Sequence, residues 1–306
     1  MIMDIVNTQK AVTAANVSQT IGKLLNAFPS FRSETLGTTA FQRPIEALIF
    51  GNGPKKVLYT AAHHANEWIT ALILLKFAED YGNALKNRIP LWDTDIEKLD
   101  REVTFYLVPL VDPDGVDLVN GAIQVGDIQY ELAKRISQDY PDIPFPDGWK
   151  ANLLGTDLNL NYPAGWLQAR EIKFSQGYVN PAPRDYVGTA PLNQLETQAL
   201  SEFTEAVDPA LVLAFHTQGQ EIYWKFEDIV VPGAEELGKK LAQVSGYKLS
   251  DVPYNSAFAG YKDWFIKYFR RPGYTIEAGL GTNPLPISPF DEIYKATLPI
   301  LLTAAQ

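Results

Sequence analysis

Apolar residues recur along the chain with two spacings, which divide it into predicted helices and strands. Apolar positions three or four residues apart predict helices over residues 13–28, 67–81, 129–138, 194–206, 234–245, 261–269 and 290–303. Short apolar runs bounded by turn-forming residues predict strands at 45–50, 56–62, 103–111, 211–215 and 274–277. Strands that alternate with helices indicate one α/β domain, which we place over residues 1–306.

Two segments between the predicted helices and strands carry further information. The strands at 45–50 and 56–62 are joined by Gly-Asn-Gly-Pro, a turn-forming segment, so we expect them to form an antiparallel pair. Residues 113–190 are rich in Pro, Gly, Asn and Trp, and only one clear helix is predicted in them. A long irregular stretch inside a compact domain is usually functional, which makes this region a candidate part of a site.

Charge and composition narrow the possible functions. The net charge is −10, whereas a nucleic-acid surface needs clustered Lys and Arg, so no nucleic-acid partner is expected. The absence of cysteine excludes disulfides, thiol catalysis and Cys-ligated zinc, so a metal site must use His, Asp and Glu. We see neither a signal peptide nor an apolar run of membrane-spanning length. We therefore expect a cytoplasmic protein without a membrane partner, and no obligatory protein partner is implied.

The three histidines of the chain lie where a metal site could form. His64 and Glu67 follow one predicted strand, and His216 follows another. Two imidazoles and one carboxylate are the three-ligand set of a catalytic zinc with one open coordination position. In open α/β sheets ligands bind beyond the carboxyl ends of the strands, and Glu277 also ends a predicted strand. The resulting hypothesis is a zinc site with Glu277 as general base.

Each of these residues also has a plainer interpretation. His64 and Glu67 could be turn residues, with Glu67 favouring the start of a helix. Glu277 could be a surface or salt-bridged residue. His63 is interpreted as a neighbour of the site rather than a ligand. The stretch 157–163 alternates polar and apolar residues and then stops at Pro, so it is either a short edge strand or a polar wall of a substrate cleft.

Six sequence blocks resemble the zinc carboxypeptidases of the carboxypeptidase A type, and together they span most of the chain. The blocks are His-Ala-Asn-Glu-Trp-Ile-Thr at 64–70, Val-Pro-Leu-Val-Asp-Pro-Asp-Gly at 108–115, Gly-Thr-Asp-Leu-Asn at 155–159, Glu-Thr-Gln-Ala at 196–199, Phe-His at 215–216 and Thr-Ile-Glu at 275–277. The resemblance implies a three-layer α/β/α sandwich around a mixed, mostly parallel sheet of eight strands. It also implies a zinc-dependent metallopeptidase that hydrolyses an amide bond through a zinc-activated water.

The resemblance further implies roles for individual residues. One Zn²⁺ ion would be held by His64, Glu67 and His216. Glu277 would act as the general base. Lys150 would supply the cation that stabilises the oxyanion, where the family uses an Arg, and Lys offers the charge without the bidentate fork. Substrate contacts are expected from six residues, namely Asn152, Asn159, Leu160, Thr217, Gln218 and Tyr254.

The chain departs from the usual family pattern at three places. Leu160 stands where the motif Asp-Leu-Asn-Arg-Asn has the Arg that grips the C-terminal carboxylate of the substrate. Because Leu cannot bind a carboxylate, an ordinary carboxypeptidase specificity is not expected. Asn66 replaces a family Arg beside Glu67, and Asn255 stands near the place of a mobile Tyr, with Tyr254 adjacent.

One branch of the family shares these changes. The bacterial γ-D-glutamyl-L-diamino acid endopeptidases carry Asp-Leu-Asn-Leu, His-Thr-Gln-Gly and Asn-Pro-Leu-Pro, and this chain is similar at 157–160, 216–219 and 283–286. The similarity implies cleavage between γ-D-glutamate and a diamino acid, diaminopimelate or lysine, in peptidoglycan stem peptides, with a muropeptide as substrate. Arg170 and Arg184 are candidates for binding a substrate carboxylate, although both could equally be solvated surface residues.

Three alternatives stay open from the sequence. A conventional zinc carboxypeptidase could have moved its carboxylate anchor elsewhere. A zinc N-acyl amino acid deacylase could use the same fold. A non-catalytic peptide-binding module that retains zinc is the least favoured alternative, because the general base Glu277 is intact.

Overall fold

The computed structural model describes residues 4–306 as one eight-stranded sheet with helices on both faces. The strands are β1 Arg32–Thr38, β2 Pro44–Phe50, β3 Lys55–Ala61, β4 Val103–Val108, β5 Leu211–His216, β6 Glu221–Tyr223, β7 Lys248–Ser250 and β8 Gly273–Glu277. The α-helices are α1 Ala14–Ala27, α2 Ile69–Asn87, α3 Ile96–Glu102, α4 Pro113–Val119, α5 Ile128–Ser137, α6 Trp166–Ser175, α7 Leu195–Val207, α8 Ala234–Ser245, α9 Tyr261–Phe269 and α10 Phe290–Thr303. Short 3₁₀ turns lie at Ala65–Glu67, Leu158–Leu160 and Tyr254–Ser256.

The sheet order is β1-β2-β4-β3-β5-β8-β6-β7. Strands β4, β3, β5 and β8 run parallel in the centre, and β7 runs parallel to β6. The pairs β1–β2, β2–β4 and β6–β8 are antiparallel. The predicted fold class, a three-layer sandwich around a mixed and mostly parallel sheet of eight strands, is therefore confirmed.

The central strands are apolar throughout because both faces of the sheet are covered. Along β3, Val57 and Tyr59 point into the core shared with α1, α2 and α10, while Leu58 points into the core shared with α7 and α9. This alternation follows from the two-residue period of a strand. No helix within residues 4–306 is long and apolar enough to cross a membrane, and the cytoplasmic location stays a prediction.

The expected antiparallel pairing of β2 with β3 was wrong, because β4 lies between them. The connection at 51–54 crosses the start of β4 instead of forming a hairpin: Gly53 N–H donates to Val103 O, and Thr104 Oγ1 donates to Gly53 O. Gly53 packs directly on the peptide between Glu102 and Val103, where a side chain would have no room. Strand β4 comes about fifty residues after this connection, so the sequence around the connection contains no signal that β4 will lie between β2 and β3.

The region 113–190 is more regular than predicted. It contains α4 and α6 in addition to the expected α5. Helix α4 has a signal that the hydrophobic pattern did not use, since Asp112 caps it by accepting from Gly115 N–H and Pro113 occupies its first turn. The strand predicted at 103–111 ends earlier, at Val108, because the chain turns there towards α4.

A buried carboxyl at the start of α7 gives a testable pH dependence. Glu196 is 3% exposed, and burial raises its pKa to about 7, with Asp114 adding to the rise. The unfolded chain loses this proton near pH 4.5, so the folded state becomes less stable as the pH rises from there to about 7. We expect Glu196→Gln to raise the free energy of unfolding at pH 8 by on the order of 3 kcal/mol, with little effect at pH 4.5.

Urea unfolding of the two proteins at both pH values measures this difference. Glu202→Gln, an exposed position on the same helix, is the matched control and should change stability little at either pH. A gain from Glu196→Gln that is equal at the two pH values would contradict the assignment of the shifted carboxyl.

Candidate metal centre and active site

The candidate ligands lie at the carboxyl ends of adjacent parallel strands. His64 follows β3 and directly precedes the 3₁₀ turn that leads into α2, and Glu67 is the last residue of this turn. Thr70 Oγ1 stabilises the turn by donating to Glu67 O. His216 is the last residue of β5 and is paired in register with Glu277, the last residue of β8. The topology thus brings together residues that are far apart in the sequence.

The three ligand candidates meet at a single point. His64 Nδ1 lies 2.9 Å from Glu67 Oε1, and His216 Nδ1 lies 2.8 Å from Glu67 Oε2. The two Nδ1 atoms are 3.1 Å apart, and all three side chains are buried. Ligand atoms bonded to one tetrahedral zinc lie roughly 3.3 Å from one another, so the spacing suits a single ion.

The hydrogen bonds around His64 fit a cation as well. Nε2 of His64 lies 3.1 Å from Asp157 Oδ1, so this nitrogen donates its proton and Nδ1 presents its lone pair to Glu67 and His216. Burial alone would raise the pKa of Glu67, but His64, Lys150 and His216 together hold it well below its usual range. Two imidazole nitrogens and an ionised carboxylate facing one another in a buried site are the donor set that Zn²⁺ takes.

A polar cavity of about 660 Å³ opens beside this cluster. Glu277 and Lys150 both line it. Lys150 Nζ lies 3.4 Å from Glu67 Oε1, and its backbone is held in place because Lys150 N–H donates to Pro183 O. Burial raises the pKa of Glu277 to about 8, and the charge of Glu67 adds to the rise. A carboxylate that binds a proton strongly therefore faces the same space as the candidate metal ligands.

The sequence matches the zinc carboxypeptidase family model over residues 17–298. The chain belongs to the zinc carboxypeptidase family. Enzymes of this family use zinc, so the protein is a zinc-dependent metallopeptidase with one zinc site, for which the His64–Glu67–His216 cluster provides the ligands that fit.

Two similar proteins come from bacteria. The chain is 42% identical over 299 residues to gamma-D-glutamyl-L-diamino acid endopeptidase 1 of Lysinibacillus sphaericus, covering 97% of this chain and 73% of that protein. It is 36% identical to the uncharacterized protein YqgT of Bacillus subtilis (strain 168), covering 98% of this chain and 78% of that protein.

Solved structures confirm the family fold. The crystal structure of thrombin activatable fibrinolysis inhibitor gives a TM-score of 0.76 at 17% identity, with 100% of this chain and 77% of that chain covered. Murein-tripeptide amidase MpaA from Escherichia coli O157 gives a TM-score of 0.54 at 22% identity, with 89% of this chain and 91% of that chain covered. At these identities the likeness concerns the fold alone.

Four of the six predicted substrate-binding residues line the zinc carboxypeptidase cavity, namely Asn159, Leu160, Thr217 and Gln218. Asn152 does not, which corrects its predicted place: it is fully buried, and its amide donates to Gln194 and Glu196. Tyr254 is 69% exposed and packs edge-on against Phe258, so its contact with substrate stays a prediction.

His63 lies beside the ligand set and is not part of it. Its ring stacks on that of His216 with centroids 5.6 Å apart, and burial lowers its pKa well below the usual value. Its Nε2 lies 3.4 Å from the hydroxyl of Tyr162. This placement agrees with its interpretation as a packed neighbour of the site.

The two candidate arginines differ in position. Arg170 lies outside the cavity and covers the rings of Trp166 and Phe174, with its guanidinium carbon 4.6 Å from the centroid of Phe174. Arg184 lines the cavity, and its Nε donates to Asp185 Oδ2 at 2.7 Å. Only Arg184 of this pair is therefore placed to meet a substrate.

Several cavity residues were missed by the sequence reasoning. Asp157 stands in a recognised block, but its bond to His64 joins residues 93 positions apart and has no local signal. Lys173 is buried and pairs with Asp185 at 2.5 Å, and Arg184 pairs with the same carboxylate. A lysine on a helix is usually solvated, so its burial could not be inferred from the pattern.

Proposed function

We propose that this enzyme hydrolyses the amide bond between γ-D-glutamate and a diamino acid in peptidoglycan stem peptides. The observation that carries the proposal is the 42% identity to the Lysinibacillus sphaericus endopeptidase, which extends over 97% of this chain. The site itself supplies two further arguments.

The first argument is the apolar residue in the cavity wall. Leu160 lies on the 3₁₀ turn after Asp157 and lines the cavity, where the usual family pattern places an Arg for the C-terminal carboxylate. A leucine offers no donor to a carboxylate. An enzyme that cuts within a stem peptide has no need to hold a terminal carboxylate at that point, so the substitution suits the proposed bond.

The second argument is the cation that the cavity does provide. A γ-linked D-glutamate carries a free α-carboxylate on the acyl side of the bond. Arg184 lies beside Lys150, since Lys150 N–H and Ala151 N–H both donate to the carbonyl of Pro183. With Nε committed to Asp185, the terminal nitrogens of the Arg184 guanidinium remain for that carboxylate.

The residues of the chain divide the chemistry between them. Bound zinc supplies a Lewis acid that lowers the pKa of water and polarises a carbonyl. Glu277 takes the proton of the attacking water and returns it to the leaving amine. Lys150 places its positive charge where negative charge develops on the carbonyl oxygen. Asp157 orients His64 by accepting from its Nε2.

Product analysis by mass spectrometry tests the proposal. The zinc-loaded protein is incubated with L-Ala-γ-D-Glu-diaminopimelate, with the α-linked isomer and with an ordinary peptide that has a free C-terminus. We expect L-Ala-D-Glu to be released from the γ-linked peptide alone. Trimming of only the ordinary peptide, abolished when its terminus is amidated, would instead identify a conventional carboxypeptidase with a displaced anchor.

A further inference from the structure

A buried ion pair faces the active-site cavity from the start of helix α9. Lys262 and Asp263 are each 4% exposed, and both line the cavity that Glu277 lines. Side chains alternate along β8, so Thr275 shares the face of Glu277, and Thr275 lines the cavity too. The stem of Lys262 packs against Gly273 on this same strand. The pair therefore lies further along the cavity wall that begins at the general base.

The pair keeps unused hydrogen-bonding capacity. The ammonium group of Lys262 donates to Lys225 O at 2.7 Å and to Asp263 Oδ1. An ammonium has three N–H groups. Two of them donate to these partners within residues 4–306, so the third is available to a ligand. Asp263 Oδ2 accepts from Gly260 N–H at 3.1 Å, and a carboxylate has about four acceptor positions. Both charged groups can thus bind a ligand without breaking their mutual contact.

A buried ion pair is weak evidence for stability, because desolvation of both charges offsets their attraction. The pair at the start of α9 therefore calls for a function in the cavity it faces. Adjacent fixed charges of opposite sign match a ligand group that also carries both signs. The free end of diaminopimelate is such a group, since it bears one ammonium and one carboxylate on the same carbon.

We propose that Lys262 and Asp263 bind the distal amino-acid end of a diaminopimelate residue, the carboxylate at Lys262 and the ammonium at Asp263. The inference rests on the proposed function and selects between the two diamino acids. Lysine has the ammonium but lacks the carboxylate, so it leaves the spare N–H of Lys262 unpaired.

The wild-type enzyme with three substrates provides the first test. The substrates are L-Ala-γ-D-Glu-diaminopimelate, its analogue amidated at the distal carboxylate, and L-Ala-γ-D-Glu-L-Lys. Because a polar pocket rejects analogues that lack the matching group, we expect kcat/KM for the diaminopimelate peptide to exceed that for the lysine peptide by about a hundredfold or more. The amidated analogue should fall towards the lysine peptide.

A variant then assigns the preference to the residue. We expect Lys262→Met to lower the ratio of kcat/KM between the diaminopimelate and lysine peptides to near one, chiefly by raising KM for the former. Lys267→Met, on the same helix but outside the cavity, is the matched control and should keep the wild-type ratio. If Lys262→Met does not fold, the amidated analogue with the wild-type enzyme decides the question.

The outcomes separate the inference from the proposed function. Equal cleavage of all three peptides by the wild-type enzyme overturns the role of Lys262 and Asp263 and leaves the γ-glutamyl specificity intact. An unchanged preference in a folded Lys262→Met protein likewise overturns it. Cleavage of none of the three, together with trimming of ordinary peptides, removes the proposed function and this inference with it.

Discussion

The change of Glu277 to Gln is expected to lower kcat by a hundredfold to ten-thousandfold and to leave one zinc per chain, as in the wild type. Glutamine keeps the shape of the side chain but cannot take a proton from water or return it to the leaving amine. The residue ends β8 and lines the cavity, whereas the three convergent ligand atoms belong to other residues. Steady-state kinetics and metal analysis of the same preparation measure both quantities.

A neighbouring glutamate provides the control for this change. Glu221 is paired in register with Glu277 on the adjacent strand β6, yet it does not line the cavity. Glu221→Gln makes the same chemical change and should preserve turnover. Wild-type kcat in Glu277→Gln would show that another group handles the proton, and loss of zinc from that variant would show that Glu277 takes part in holding the metal.

The central strands of the fold could be predicted because a strand that is buried on both faces consists almost entirely of apolar residues, which is visible in the sequence. β3, β5 and β8 follow this rule. The edge strands could not be predicted in the same way. β1 is mostly exposed, and β6 and β7 have three residues each, so none of them shows a distinct pattern.

The candidate site divides along a similar line. His64, Glu67 and His216 could be identified because each follows a predicted strand and belongs to a recognised sequence block. The buried contacts between distant segments could not be predicted from the sequence, because they depend on how loops pack across the end of the sheet. Asn152 is an example: the family resemblance implied a contact with substrate, but its side chain donates to Gln194 and accepts from Thr156 N–H, so it holds buried protein segments together instead.

The ion pair Lys262–Asp263 was hidden for a different reason. A helix that starts with charged residues beside apolar ones resembles an ordinary amphipathic helix with a solvated face. Only the tertiary structure shows that this charged turn points into the cavity rather than into water. Specificity residues of this kind are therefore harder to predict than metal ligands, whose residue types and spacing are fixed by the ion.

Replacement of His216 by Ala is expected to abolish both zinc binding and activity. It removes one of three ligands and leaves Glu67 without the imidazole that lies 2.8 Å from its Oε2. Loss of an outer partner of a ligand costs ten- to a hundredfold in metal affinity, so Asp157→Asn should weaken zinc by about that factor. Loss of a direct ligand should cost considerably more. Competition with a chelator of known affinity gives the zinc dissociation constant of each protein.

His63 provides the matched control, because it is a buried histidine in contact with the same site. Its ring stacks on that of His216, but it is not one of the three convergent ligands. His63→Gln should therefore keep one zinc per chain, and the ion should still raise the melting temperature, since a ligand bound only by the folded state stabilises it. A His216→Ala protein that retained one tightly bound zinc, or a His63→Gln protein that lost it, would move the metal centre to a different set of ligands.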